Sequence, residues 1–265
     1  MPARTPEEVR ARMKTLCARF AGERVDLRVE DLDRARLYGE GEGVLVWFHG
    51  GRMVSGDLET HDALCRRLAR ASGWRVLAVD YRLAPEHRFP AQLEDAAAGL
   101  EMGFELSEQV ALGGDSAGAS LAITAALRSG RALDALVLIY PMVDGTMEQA
   151  SVKEFWNGSG TSGHDIELGY EWWLPEGFDR RDSRVSPIFA EGFGSLPRTF
   201  VLTAGVDPLR DEGAALAARL RAFGVRVAEE QYADHLHGFM TYPARFQAAE
   251  RAAREVAAFL SAAGA

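Results

Sequence analysis

The sequence predicts an α/β fold in which a mostly parallel central sheet carries helices on both faces, with a small helical cap. Three observations predict it. Short apolar runs, rich in Val, Leu and Ile and bounded by Gly, Pro or Asp, recur along the chain as buried strands do. Longer segments with helical spacing of apolar residues separate them, and that alternation is the signature of a parallel sheet. Finally, 265 residues of which 47% are hydrophobic suffice to bury one large core, so a single domain spanning 1–265 is expected.

Thr5-Pro6-Glu7-Glu8 opens the first helix, with Thr5 as N-cap, Pro6 at the first helical position and Glu8 closing a capping box. Val9, Met13, Leu16 and Phe20 then share one face. Such a helix either packs on the body of the protein or forms a lid over a site. Short strands are expected over Val25–Val29 and Ala35–Tyr38, and the turn Gly39-Glu40-Gly41-Glu42-Gly43 leads into a buried strand, Val44–Phe48. A helix over Asp62–Ala71, a strand over Arg75–Val79 and a helix over Leu93–Met102 follow. Next come a strand from Val110, a glycine-bracketed serine and an alanine-rich helix. The strand Ala135–Ile139 ends at Tyr140-Pro141, and the glycine- and tryptophan-bearing stretch up to Leu196 breaks the rhythm, as a helical cap inserted into the fold would. Regular alternation resumes with a strand over Thr199–Thr203, a helix over Asp211–Phe223, a strand over Val225–Tyr232 and a closing helix over Ala244–Leu260.

Charge and cysteines narrow the function. Thirty basic against 39 acidic residues give a formal charge of -9, which disfavours nucleic acid or an anionic membrane surface as partner. Cys17 and Cys65 lie in helical patterns without metal-ligand spacing, so neither a structural disulfide nor a metal is expected. The N-terminal residues lack the apolar stretch of a signal peptide and no run reaches membrane-spanning length, so a cytoplasmic protein without stable membrane insertion is expected.

The chemistry centres on Gly114-Asp115-Ser116-Ala117-Gly118, a serine between glycines where a strand becomes a helix. This is the pattern of a nucleophile elbow, whose strained serine projects its hydroxyl while side chains at the flanking glycines would collide with neighbouring backbone. In a parallel sheet functional loops lie at the carboxyl ends of strands. Asp207 and His237 follow two later strands, and the chain order serine, aspartate, histidine is that of alpha/beta hydrolases. His237 can take the Ser116 proton and return it to a leaving group, with Asp207 holding the ring. The reading is thus an alpha/beta-hydrolase fold that needs no cofactor.

Five ordered motifs also resemble the bacterial hormone-sensitive lipase group of carboxylesterases, from about Val44 to the C-terminus. They are His49-Gly50-Gly51, Asp80-Tyr81-Arg82-Leu83-Ala84-Pro85-Glu86, the Ser116 pentapeptide, Asp207-Pro208-Leu209-Arg210-Asp211-Glu212 and His237-Gly238-Phe239. The resemblance implies metal-free hydrolysis of a small-molecule ester through an acyl-enzyme, and cap elements from about 1–24 and 145–182. It also implies an oxyanion hole from the amides of Gly51, Arg52 and Ala117. A homodimer through the last strand and helix is expected by analogy. The chain departs from the family's usual His-Gly-Gly-Gly, since Arg52 stands where the third glycine lies. Its amide is retained, while its guanidinium could disturb the hole or reach the pocket and favour a substrate carboxylate. The segment before the first core strand is short for the family, which implies an open pocket suited to short acyl chains. An amidase or formamidase with the same triad, and a non-catalytic ligand-binding protein like the plant gibberellin receptors, are the alternatives; the presence of His237 argues against the second.

Trp172 and Trp173 read either as cap core or as wall of the acyl pocket, and Phe239 and Met240, which follow the base, as lining the same pocket, since aromatic and thioether surfaces suit a short apolar chain. His235 is the rival base, but only His237 precedes Gly238-Phe239. Asp211 and Glu212 are expected to begin the next helix, where negative side chains suit the dipole. Asp115 is expected to fix the elbow by local hydrogen bonds, His49 to orient the glycine turn, and Asp80 with Arg82 and Glu86 with His87 to form polar networks. His61 and His164 are expected to be exposed.

Overall fold

The computed structural model describes residues 5–262. Its eight-stranded sheet runs β1-β2-β4-β3-β5-β6-β7-β8. The strands are β1 (Val29–Leu32), β2 (Ala35–Tyr38), β3 (Val44–Phe48), β4 (Arg75–Val79), β5 (Val110–Asp115), β6 (Ala135–Ile139), β7 (Thr199–Val206) and β8 (Val227–Leu236). β1 and β2 pair antiparallel, as do β2 and β4, and every later pairing is parallel.

The central strands read as continuous apolar runs because both faces are covered. Along β3 the side chains alternate: Val44, Val46 and Phe48 enter one core with α3 (Ala91–Leu106), α4 (Ala117–Ser129) and α7 (Arg210–Ala222). Leu45 and Trp47 enter the other with α2 (Asp62–Ser72) and α8 (Ala248–Ser261). The chain leaves β3 toward β4 on one side and returns to β5 on the other. The strand order therefore switches between β3 and β5, where doubly wound sheets open a crevice at their carboxyl ends. The glycine turn after β3 and the serine after β5 both border that switch point.

α1 (Pro6–Phe20) begins with Thr5 as N-cap and Pro6 in the first turn, the Thr5 hydroxyl accepting from the Glu8 amide at 3.3 Å. Arg10 pins the helix over the sheet end, donating to the carbonyls of Val54 and Ala84 at 2.8 Å each and to the Glu86 carboxylate. In the long segment between β6 and β7 lie α5 (Ala150–Glu154) and α6 (Gly163–Trp173), the latter closed by a reciprocal capping box between Ser162 and Asp165.

Several boundaries differ from those expected. Val25–Val29 is not a strand; β1 starts at Val29 because the carbonyls of Glu23 and Val25 accept from Arg67 and Arg66 of α2 instead of from a neighbouring strand. β7 and β8 run on to Val206 and Leu236, and α3 extends beyond both expected ends. The last helix starts at Ala248, not Ala244. The Ala244 amide donates to the Phe20 carbonyl, tying the preceding turn to the end of α1.

Candidate active site

The β5–α4 junction holds Ser116 at φ 55 and ψ -119, outside the regions a residue with a Cβ prefers. Backbone bonds over-determine that conformation. Its amide donates to the Ile139 carbonyl at 2.8 Å, and its carbonyl accepts from Ala119 and Met142. The turn works only if α4 lies almost against β3. A Cβ on Gly118 would sit 1.8 Å from the Phe48 carbonyl oxygen, and one on Gly114 would sit 2.4 Å from the Gly118 carbonyl carbon.

The end of β8 carries His237 toward this serine. His237 Nε2 lies 2.9 Å from Ser116 Oγ, and His237 Nδ1 lies 2.8 Å from Asp207 Oδ2. Asp207, fully buried after β7, is fixed through its other oxygen, which accepts from the Leu209 amide at 2.8 Å. The rival base, His235, packs instead on Tyr232, Phe239 and Phe246.

The rival acids both lie in the first turn of α7 and neither faces His237. Asp211 accepts from the Ser151 amide and pairs with Arg210. Glu212 is fully buried and accepts from the amides of Val143 and Asp144 at 2.5 and 3.1 Å. Burial pushes its carboxyl well above the usual range, with the neighbouring carboxylates of Asp144 and Asp207 adding to the effect and the two amides opposing it. A raised native pKa means the folded protein holds a proton that the unfolded chain releases. Stability from this group is full below the unfolded value and falls as pH rises toward the native one. Glu212→Gln keeps the amide acceptor and removes that slope. Its stability relative to wild type is expected to climb by up to about 1.4 kcal/mol per pH unit between the unfolded Glu pKa and the raised native one. Urea midpoints of both proteins at pH 5 and pH 8 check this; a constant difference would contradict a protonated Glu212.

The turn after β3 approaches Ser116 from the adjoining strand. Gly51 has φ 131, and its carbonyl accepts from Val54, the Ser55 amide and the Ser55 hydroxyl. A Cβ there would lie 2.0 Å from the Ser55 carbonyl oxygen, so only glycine fits. Arg52 follows at φ 60, the left-handed region that its Cβ disfavours. Among the described residues no acceptor pairs with the amides of Gly51, Arg52 or Ala117. Ala117 is the first residue of α4, so its amide is one of the orphan donors every helix start exposes.

Beneath the elbow Asp115 ties the two loops together. Its Oδ1 accepts from the Gly50 amide at 3.1 Å and the Trp47 indole at 3.3 Å, and its Oδ2 meets His61 Nε2 at 3.3 Å. Burial works to raise the Asp115 carboxyl, but His61, His49 and the Gly50 amide outweigh it and hold the group below its ordinary value. His61 is therefore buried, contrary to the expectation from sequence, while His164 is exposed. His49 stacks on Tyr81 with centroids 4.2 Å apart; burial, then His61, lower its pKa to about 4, so a neutral ring supports the glycine turn. Arg82 pairs with Glu94 and Asp95 instead of Asp80, and Glu86 pairs with Arg10 instead of His87.

A cavity of about 330 Å³ opens over Ser116 and His237. Val9, Met13, Leu16 and Phe20 line it, so the apolar stripe of α1 covers the site. Leu236, Tyr242 and Phe246 add apolar wall, and Ser159, Gly160 and Thr161 close one side. The four candidate pocket residues lie elsewhere. Trp173, the last residue of α6, is fully buried with its indole donating to Gln92, and Trp172 packs against the same core. Phe239 and Met240 are fully buried beside Tyr140 and Tyr232, where they support the His237 loop from behind.

Residues 45–241 match the alpha/beta hydrolase fold family. The chain is 36% identical over 260 residues to the carboxylic ester hydrolase LipN of Mycobacterium tuberculosis, across 87% of this chain and 69% of the relative. An arylesterase of Saccharolobus solfataricus is 30% identical over 261 residues, 89% of this chain and 85% of the relative. The solved structure of an esterase from Pyrobaculum calidifontis superposes with a TM-score of 0.91 at 33% identity, covering 99% of this chain and 94% of that one. With a serine, histidine and aspartate in hydrogen-bonding sequence at the switch point of the sheet, the chain belongs to the alpha/beta-hydrolase family, in its hormone-sensitive-lipase-like group of carboxylesterases.

Proposed function

We propose that the protein hydrolyses short-chain acyl esters through an acyl-enzyme on Ser116. The observation that carries this reading is the unbroken hydrogen-bond path from Asp207 through His237 to Ser116 Oγ on the floor of a small cavity. His237 takes the hydroxyl proton as Oγ attacks the ester carbonyl, and the amides of Gly51, Arg52 and Ala117 stabilise the charge that develops on the carbonyl oxygen. Collapse of the tetrahedral species breaks the bond to the leaving oxygen, which receives the proton from His237. Water then attacks the acyl carbonyl, His237 takes its proton, and collapse returns that proton to Ser116 Oγ as the acid departs. Asp207 holds one tautomer and stabilises the imidazolium throughout.

α1 and the segment 145–182 together form the cap in this reading. A cavity of about 330 Å³ sits at the low end of the roughly 300–1,000 Å³ of small-molecule sites, which favours short acyl chains. A cytoplasmic location, supported by two free, buried cysteines, and a homodimer through the exposed edge strand β8 belong to the same proposal. Among the described residues no helix is long and apolar enough to cross a membrane.

Hydrolysis of 4-nitrophenyl esters from acetate to laurate tests the activity. kcat/KM is expected to peak at four carbons or fewer and to fall by about ten-fold or more by the longest chain, since each unaccommodated methylene forfeits its burial. A maximum at laurate would contradict the small covered pocket.

A further inference from the structure

We infer that the ester this protein takes carries a carboxylate bound by the Arg52 guanidinium beside Ser116; this rests on the esterase reading of that serine. Arg52 lines the same cavity as Ser116, and its side chain is only 15% exposed. Its Nη1 donates to the Asp165 carbonyl at 3.0 Å and lies 3.5 Å from the Asp165 carboxylate. Among the described residues only its Nη1 is engaged, and its Nε and Nη2 pair with no acceptor, so most of a fork built for a planar anion remains unused.

Two further observations separate this from a purely structural role. Arg52 occupies a left-handed turn position, where glycine would meet the backbone requirement without steric opposition. An arginine there sets a cation next to the reacting carbonyl, and the backbone of the turn does not need it. The charge around the cavity also runs against the composition. The whole chain has 30 basic and 39 acidic residues, yet Arg12, Arg52 and Arg245 line the cavity against the carboxylates of Asp115 and Asp165. Asp115 is taken up by Gly50, Trp47 and His61. Asp165 alone competes with a substrate anion for Arg52, and it is shared with the capping box at the start of α6. Exposed Arg12 and Arg245 leave a positive entrance that draws anions toward the site.

The test compares esters matched in shape but not in charge. One pair is 4-nitrophenyl hemiglutarate and 4-nitrophenyl pentanoate, with the carboxylate on the acyl chain. The other is 4-acetoxybenzoate and its methyl ester, with the carboxylate on the leaving group. Each rate is normalised to spontaneous hydrolysis. One of the pairs is expected to favour the charged ester by about ten-fold in kcat/KM, the scale of a charge-assisted hydrogen bond, and that pair locates the carboxylate. Arg52→Gln is expected to bring the ratio close to one whatever it does to the common rate. Asp165→Asn, which removes the competing charge, is expected to raise it. A wild-type ratio at or below one in both pairs overturns the proposal, as does a preference that survives in Arg52→Gln. If no ester of either pair is hydrolysed, the esterase reading fails, and binding decides the Arg52 site alone. Ser116→Ala protein is then heated with monomethyl glutarate or methyl pentanoate. A rise in Tm with the anionic ester only, lost on adding Arg52→Gln, supports the site; no rise overturns it.

Discussion

Replacing Ser116 by Ala is expected to lower kcat for 4-nitrophenyl butyrate by on the order of 10⁵- to 10⁶-fold, with His237→Ala close behind and the double variant no slower than either. The non-additivity follows from the geometry. Ser116 Oγ is a competent nucleophile only while His237 Nε2, 2.9 Å away, accepts its proton, so removing either group removes the same step. Asp207→Asn is expected to cost about 10⁴-fold, because an amide can donate to Nδ1 and stabilise the wrong tautomer. All three positions are buried side chains at strand ends, so thermal unfolding of each variant separates lost chemistry from lost fold. Additive losses in the double variant, or Ser116→Ala activity within a hundred-fold of wild type, would mean that the nucleophile is another group.

Residual activity in those variants reports on the proposed oxyanion hole. Gly51 and Ala117 meet its demands at little cost, one as a glycine at φ 131 and the other as a helix start. Arg52 at φ 60 does so against its backbone preference, at about 1–2 kcal/mol. Two contacts hold it there. Its guanidinium is anchored on Asp165, and α6 leaves room because Gly169 faces it, where a Cβ would approach Arg52 Cβ to 2.7 Å. Burial pushes the guanidinium below its ordinary pKa while Asp165 supports it.

The elbow was legible in the sequence because it depends on residues adjacent in the chain, and Ser116, Asp207 and His237 were legible as local patterns in hydrolase order although His237 lies 121 positions from Ser116; the order of the strands was not legible. A glycine-bracketed serine between a strand and a helix leaves few alternatives, and Ser116, Asp207 and His237 each follow a predicted strand. The covering helix was half legible. The stripe Val9, Met13, Leu16 and Phe20 marks an apolar face, but nothing local says whether it meets the core or a cavity. The pocket wall was not legible, since it gathers α1, the turn at 159–161 and the loop after His237 from separate parts of the chain. Trp172 and Trp173 misled for the converse reason: large aromatics fill core as readily as they line pockets, and the Trp173 indole found Gln92 inside. His61 gave no signal because its partner, Asp115, lies 54 positions away. Val25 reads as strand by composition, yet its carbonyl is taken by Arg66 of α2, 41 positions later.

Gly118→Ala is expected to be the most damaging single-methyl change in the molecule, abolishing cooperative folding or costing more than about 4 kcal/mol. The added Cβ would lie 1.8 Å from the Phe48 carbonyl oxygen, 2.4 Å from its carbonyl carbon and 2.7 Å from the His49 carbonyl oxygen. Every one of those atoms is backbone, so no side-chain rotation relieves the overlap. Moving β3 would shift the glycine turn that follows it, and moving α4 would shift Ser116 and Ala117 at its start. Either displacement separates the nucleophile from the hole, so surviving folded protein should lose activity as well as stability. Chemical denaturation and ester turnover on the same preparation check both. The contrast is Gly130→Ala at the other end of α4, where a Cβ meets no atom within 4 Å and only φ 62 opposes it; about 1–2 kcal/mol is expected there. Equal losses at the two glycines would show that helix propensity or backbone freedom governs both, and that the close approach of α4 to β3 is not what positions Ser116.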